Sequence, residues 1–260
     1  MADALYHPDG DRFVPTEATI GPWDRSAQHG GPPAALLARA VEQVDAVVPM
    51  QVTRLTYDLL RPVPLQPLEV RTEVVRDGKR ISVVEAGLWA DGTLVMRASA
   101  LRIRVADLEL PAAAAASDDV PPLPVGEGEE AILLGGGNAY NDLGIEIRFL
   151  HGGFQHMGPG TAWVRLRLPL VAGEEPSPLV RAAAAADLGN GVSSVLNQKE
   201  WLYINPDLTV HLSRPPVGEW IAVRAVTHPG PSGAGMAESA LYDSKGRIGR
   251  SAQSLLLDRR

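Results

Sequence analysis

Thr53-Arg54-Leu55-Thr56-Tyr57-Asp58-Leu59-Leu60-Arg61-Pro62 is answered 153 residues later by Pro206-Asp207-Leu208-Thr209-Val210-His211-Leu212-Ser213-Arg214-Pro215. Leu55/Leu208, Thr56/Thr209, Leu59/Leu212, Arg61/Arg214 and Pro62/Pro215 coincide. Further on, Asp91-Gly92-Thr93-Leu94 before Ala98 and Leu101 runs against Lys245-Gly246-Arg247-Ile248 before Ala252 and Leu255. There the offset between Gly92 and Gly246 is 154. Matches kept in order over about fifty residues, with a slip of about one, mark a duplicated domain.

Outward from these stretches, both halves show one order of elements. Residues 33–47 carry Leu36, Leu37, Ala40, Val41 and Val44 at helical spacing. In the second half Ser177-Pro178 supplies an N-cap and N1 pair that opens a helix over about 179–196. Strands follow at 68–75, 81–89 and 94–105, with hairpin turns at 76–79 and 90–93. Their counterparts are 220–227, 236–242 and 248–258, joined by a Gly/Pro-rich turn and by 243–246. A helix followed by an antiparallel meander is an α+β pattern, with the sheet wrapped on the helix. Between the halves lie the alanine run 112–116, Ser117-Asp118-Asp119, Pro121-Pro122-Leu123-Pro124 and the acidic 127–130. Low complexity, proline and charge read as a linker, in which Ile132-Leu133-Leu134 can still pack on a domain. The organisation is therefore an N-terminal repeat over 1–105, a linker over 106–136 and a C-terminal repeat over 137–260.

Composition removes several classes of function. The 260 residues are 45% hydrophobic and 21% charged, which argues against a disordered chain. With 31 acidic against 24 basic residues and the basic ones dispersed, a nucleic-acid surface is not expected. There is no cysteine, so disulfides, thiol nucleophiles and thiolate metal sites are excluded. No apolar stretch approaches the roughly 20 residues of a membrane span. Met1-Ala2-Asp3-Ala4 lacks the start of a secretory signal, and a cytoplasmic location is expected. The histidines His7, His29, His151, His156, His211 and His228 show no metal-ligand spacing. Gly135-Gly136-Gly137 lacks the Lys-Ser or Lys-Thr of a phosphate loop, and no G-x-S-x-G nucleophile elbow occurs.

The order of elements and the local motifs resemble the acyl-CoA thioesterase II family of the double hot-dog fold. In the first half the motifs are His29-Gly30-Gly31 opening the helix, Leu60-Arg61-Pro62, Arg76-Asp77-Gly78 and Ala98-Ser99. In the second they are Ala186-Asp187, the strand before Arg214-Pro215, and Ala252-Gln253. The resemblance covers roughly 13–104 and 145–258. It implies two tandem helix-plus-antiparallel-meander repeats forming one continuous sheet around two central helices. It also implies hydrolysis of acyl-CoA thioesters with no metal or organic cofactor, and a homodimer or larger homo-oligomer. The implied site is an aspartate on the second helix, a hydroxyl on the next strand and a glutamine on the last. The aspartate falls on Asp187 and the glutamine on Gln253. Counting back from Arg214-Pro215, the hydroxyl position falls on Asn205, and the nearest hydroxyl is Thr209.

These residues also stand on their own chemistry. Asp187 follows five alanines, so it sits in close-packed apolar surroundings, where a carboxylate becomes a stronger base unless hydrogen bonds compensate. It is equally readable as the cap of a helix restart, since Gly189 and Gly191 interrupt the run. Gln253 offers a neutral amide that can hold a water or a carbonyl oxygen; alone it reads as an exposed strand residue. Thr209 or Asn205 can orient the attacking water. Thr209 is also a strand-forming residue and Asn205 a turn residue before Pro206. Gly30 and Gly31 offer amides at a helix start, suited to an oxyanion or a CoA phosphate, since Pro32 and Pro33 have none. His29 is a candidate base or a structural residue. Ser99 takes the place of Gln253 in the first half and Ala34 that of Asp187, so one active site per chain is expected, where the halves meet. A thiol leaving group, with a pKa near about 8.5, departs without an acid. The other reading is a non-catalytic acyl-group binding protein of the same fold.

Overall fold

The computed structural model of the chain describes residues 2–111, 114, 120–122, 139–154 and 156–260. The first half contains β1 (Tyr6–Asp9), β2 (Arg12–Pro15), α1 (Gly31–Glu42), β3 (Met50–Leu59), β4 (Leu68–Arg76), β5 (Ile81–Ala90) and β6 (Thr93–Arg104). The second opens on a π-helical turn, Tyr140–Gly144, followed by β7 (Ile145–Gly153) and β8 (His156–Leu166). Then come α2 (Pro178–Ala186), α3 (Gly189–Val192), β9 (Trp201–Ile204), β10 (Asp207–Leu212), β11 (Ile221–Pro229), β12 (Ala234–Asp243) and β13 (Gly246–Arg259). Most of the linker stretch 106–136, with Gly135-Gly136-Gly137, lies outside the described residues. Within it Pro121 is buried, and the Trp163 indole N–H of β8 donates to the Pro122 carbonyl at 2.8 Å.

The strands form one antiparallel sheet in the order β1-β2-β4-β5-β6-β3-β10-β13-β12-β11-β8-β7, with β9 attached to β13. The order reads the same outward from the β3–β10 seam in either direction. Across that seam Thr56 pairs with Thr209, Leu55 with Val210 and Tyr57 with Leu208. Thr56 therefore faces Thr209, the residue that matches it in sequence, at the middle of the strand order. Along β3, Leu55 and Tyr57 are buried and Thr56 is not; along β10, Leu208, Val210 and Leu212 are buried between Thr209 and His211. Period-two alternation thus assigns one face of the seam to the core and the other to its outer surface.

Both helices belong to that core. Leu36, Leu37 and Val41 of α1 and Leu179, Val180 and the alanines 182–186 of α2 join one apolar cluster with inward residues of both halves. The small alanine side chains let α2 approach α1 closely. Ser177 caps α2 as its sequence demands, its hydroxyl accepting from the Val180 N–H at 3.1 Å behind Pro178. Alpha-helical spacing extends to residue 47, but α1 stops at Glu42. The buried Arg102 guanidinium explains the stop: it donates to the carbonyls of Val44 (2.6 Å) and Asp45 (3.4 Å) and to the Ser82 hydroxyl (3.0 Å). Likewise α2 ends at Ala186 rather than near 196, with the single turn α3 after it.

One alignment of the halves is corrected by the register. Thr56 pairs with Ser99, whereas Thr209 pairs with Ala252. Ser99 is therefore the counterpart of Ala252, and Ala100 that of Gln253. Ala100 and Gln253 are both buried, as a shared inward face requires. An offset of one residue moves a strand residue to the other face of the sheet. Nor does α1 carry any carboxylate before Glu42.

Candidate active site

The break between α2 and α3 sets the position of Asp187. It occupies the C-cap of α2 in a near-helical conformation, and its side chain is 3% exposed. The carboxylate bonds neither helix: it caps no amide of α3, whose N-cap residue is Leu188. Its Oδ1 accepts from Asn205 Nδ2 at 2.8 Å and from Gln253 Nε2 at 3.2 Å. Its Oδ2 stands 3.0 Å from His29 Nδ1. The capping alternative for Asp187 is thus not what its oxygens do.

Gln253 is held at both ends of its amide. Nε2 also donates to the Asp187 carbonyl at 3.1 Å, and Oε1 accepts from the Asn190 N–H at 3.2 Å. One inward side chain of β13 therefore clamps the helix break and fixes the carboxylate beside it. Asn205, just before β10, is 9% exposed and aims Nδ2 at Asp187, in the place where a hydroxyl was expected. Asn190 in turn donates to the Tyr203 carbonyl at 3.2 Å and ties β9 to the site. Thr209 is not brought to this group. It pairs with Ala252 and Thr56 and alternates with buried Leu208 and Val210, so it lies on the outer face.

The first half supplies the opposite wall. The Gln28 N–H donates to the Val63 carbonyl at 2.8 Å and its side-chain amide to Pro64 O at 2.8 Å, while its Oε1 takes the Tyr6 hydroxyl at 2.5 Å. The next residue, His29, donates its N–H to Thr19 O at 2.8 Å. These bonds seat the α1 entrance against the α2 break. Gly30 leaves no room for a side chain beside the carboxylate: a Cβ built there would lie 2.7 Å from Asp187 Oδ2. Gly30→Ala is expected to push the carboxylate off its amide partners, lowering stability by about 1–3 kcal/mol and kcat with it, read by thermal unfolding and by turnover.

The two glycines are not equivalent donors. Gly31 N–H lies 3.0 Å from His29 Nδ1, the same nitrogen that faces Asp187. That nitrogen either accepts from Gly31 or donates to Asp187, so the proton on the ring decides whether Gly31 is occupied. Gly30 N–H has no partner among the described residues. Tyr140, which no sequence pattern singled out, packs its ring 4.8 Å from that of His29, and its hydroxyl donates to Ala184 O at 3.4 Å. Burial and then the Asp187 charge push the phenol up from its ordinary value, so it stays a neutral donor.

A carboxylate with two amides on one oxygen and an imidazole on the other, met by a helix entrance, is an arrangement chemically suited to the hydrolase class, where a fixed base faces amide donors. The comparisons agree with that class. The acyl-CoA thioesterase N-terminal domain matches residues 19–103 and the acyl-CoA thioesterase C-terminal domain residues 111–257. This chain belongs to the acyl-CoA thioesterase family, whose chemistry is thioester hydrolysis.

Solved structures share the hot-dog fold. A candidate thioesterase from Novosphingobium aromaticivorans is 21% identical, with a TM-score of 0.76, over 99% of this chain and 100% of that one. A protein with a hot-dog fold from Alicyclobacillus acidocaldarius is 16% identical, with a TM-score of 0.75, over 98% and 97%. Acyl-CoA thioesterase II TesB2 from Mycobacterium marinum is 16% identical, with a TM-score of 0.63, over 94% and 96%. No curated protein matches the chain significantly in sequence. No helix among the described residues is long and apolar enough to cross a membrane.

Proposed function

We propose that the chain hydrolyses acyl-CoA thioesters to a free acid and CoA, using water activated directly by Asp187. One observation carries this reading: a buried carboxylate whose Oδ1 is held by two neutral amides and whose Oδ2 is turned toward the α1 entrance. Asp187 takes a proton as the water oxygen attacks the thioester carbonyl carbon. The C–S bond then breaks and the sulfur leaves as thiolate, which needs no general acid. Asn205 and Gln253 hold the base in one orientation without adding charge, the geometric condition for general-base catalysis. The free Gly30 N–H is the donor placed to meet the developing oxyanion, and Gly31 joins it when His29 Nδ1 donates to Asp187. His29 thereby lines the substrate side and sets which amides are open.

The same reading covers the architecture. The chain is a double hot-dog of two tandem repeats, 1–105 and 137–260, joined by the linker 106–136, with one continuous sheet around two central helices. The mirrored strand order and the Thr56–Thr209 pairing support it. Only the second repeat carries the acid and the amides, so each chain holds one site. Chains associate as homodimers or larger.

Free-thiol release from a panel of acyl-CoAs of different chain length tests the function. The wild type is expected to release thiol from at least one of them, and Gln253→Ala to lower kcat by about 10- to 100-fold through loss of the clamp. Binding of acyl-CoA by the wild type without thiol release would instead favour the acyl-group binding protein.

A further inference from the structure

On the face of the sheet opposite Asp187, a groove of about 870 Å³ crosses the β6–β3–β10–β13 strands. Arg54, Arg104, His211, Arg247 and Arg250 line it, and none of the described residues lining it is acidic. That composition contrasts with a chain carrying 31 acidic against 24 basic residues. The register explains the concentration. Arg54 pairs with His211, and His211 pairs with Arg250, so three basic side chains stand in one row on three adjacent strands. Like charges directly opposite one another destabilise a sheet, which disfavours the charged form of His211 between the two arginines. Burial, then the charges of Arg250 and Arg54, hold the His211 imidazole below its ordinary value. The Arg54 Nε is buried without a hydrogen-bond partner. An orphaned buried donor costs the desolvation of that group.

Three basic side chains in one row, and a described lining without an acidic group, concentrate positive charge that one kind of occupant offsets, an anion. Guanidinium forks match phosphate oxygens in pairs. Beside the basic row, Leu101, Ile103 and Leu108 give the groove an apolar rim, and Leu108 is 70% exposed. We infer that this outer groove is a second binding site, separate from the hydrolytic centre, for a small molecule that bears phosphate groups. The inference does not depend on the reaction proposed for Asp187.

Calorimetric titration of the full chain with inorganic pyrophosphate, adenosine 3′,5′-bisphosphate and adenosine tests it. Saturable binding of pyrophosphate shows that phosphate alone suffices. Binding of the bisphosphate only shows that the apolar rim contributes; either result supports the site. Arg250→Glu, a change at an exposed residue, is expected to weaken that binding by about tenfold or more. Arg54→Gln, with its fold checked by circular dichroism, is expected to do the same. Asp187→Asn is expected to bind as the wild type does. The inference is overturned if neither phosphate compound binds saturably, if adenosine binds as tightly as the bisphosphate, or if Arg250→Glu binds unchanged. Loss of binding in Asp187→Asn would also overturn it, by placing the ligand in the hydrolytic site.

Discussion

Asp187→Asn is expected to lower kcat for thioester hydrolysis about a thousandfold, within the range that a positioned general base contributes. The substitution keeps the size of the side chain and removes the charge and the proton acceptor. Asn205 and Gln253 both donate to Oδ1, and an asparagine that presents its carbonyl oxygen there preserves both bonds. Its amide nitrogen then takes the place of Oδ2 and donates to His29 Nδ1. The pocket is therefore expected to stay folded and to bind substrate, so KM changes far less than kcat. Steady-state thiol release at several acyl-CoA concentrations separates the two. Ordinary turnover in Asp187→Asn would remove Asp187 from the chemistry.

The largest effect on stability is expected at Arg214. Its guanidinium binds both oxygens of Asp243, which is fully buried at the end of β12. The backbone N–H groups of Val217 (2.8 Å) and Lys245 (2.7 Å) complete the carboxylate's shell. Burial alone would raise this carboxyl, but the bonds from Arg214, Val217 and Lys245 outweigh it and hold it below the ordinary value of 3.8. Arg214→Met leaves a buried charge without its cation and is expected to cost about 3–5 kcal/mol, or roughly 10 °C in Tm for a chain of this size. The pH dependence follows from the depressed folded value. The pair's stabilisation is present above the unfolded Asp value and is lost as pH falls below about 4 toward the folded one. Denaturation followed from pH 6 to pH 2 is expected to show that loss in the wild type and a smaller one in Asp243→Asn. An unchanged Tm in Arg214→Met would contradict the assignment.

The same pair shows what the repeat conceals. Arg61-Pro62 and Arg214-Pro215 match in sequence, yet the counterpart of Asp243 is Ala90, so only the second half holds the ion pair. Matching residues pick out corresponding strands because both stretches keep the same core alternation. They could not tell which copy keeps a buried charge, since the partner lies about thirty residues away on another strand.

The meander strands are readable because their alternation is strong and three of their four turns carry Asp-Gly or Lys-Gly, the fourth being Gly/Pro-rich. The hairpins β1–β2 and β7–β8 are not among the strands that the sequence reading predicts. The first is only four residues to a strand, whereas Ile145-Glu146-Ile147-Arg148-Phe149 does alternate. The end of α1 was hidden because it depends on Arg102, a residue of β6 distant in sequence.

In the candidate site, motif order and the count back from Arg214-Pro215 name Asp187, Gln253 and Asn205, which the fold brings together. Thr209 stays apart from them, and a count along the chain does not say which face of a strand a residue takes. Its pairing with Thr56 and Ala252 does. The contact of His29 with Asp187 joins residues 158 apart in sequence, through a nitrogen that also meets Gly31. No spacing rule encodes that. Tyr140 lies in an irregular turn with no periodic pattern around it.

The central claim is that water attacks the thioester directly with Asp187 as its base. A single turnover of acyl-CoA by excess enzyme in water enriched in oxygen-18, with mass analysis of both products and enzyme, tests it most directly. Direct attack predicts free thiol and an acid that has gained one heavy oxygen, with none in the peptide containing Asp187. Heavy oxygen in Asp187 after that turnover would mean that the carboxylate itself had attacked the acyl carbon, and the absence of any acid and thiol would mean that the chain does not hydrolyse acyl-CoA.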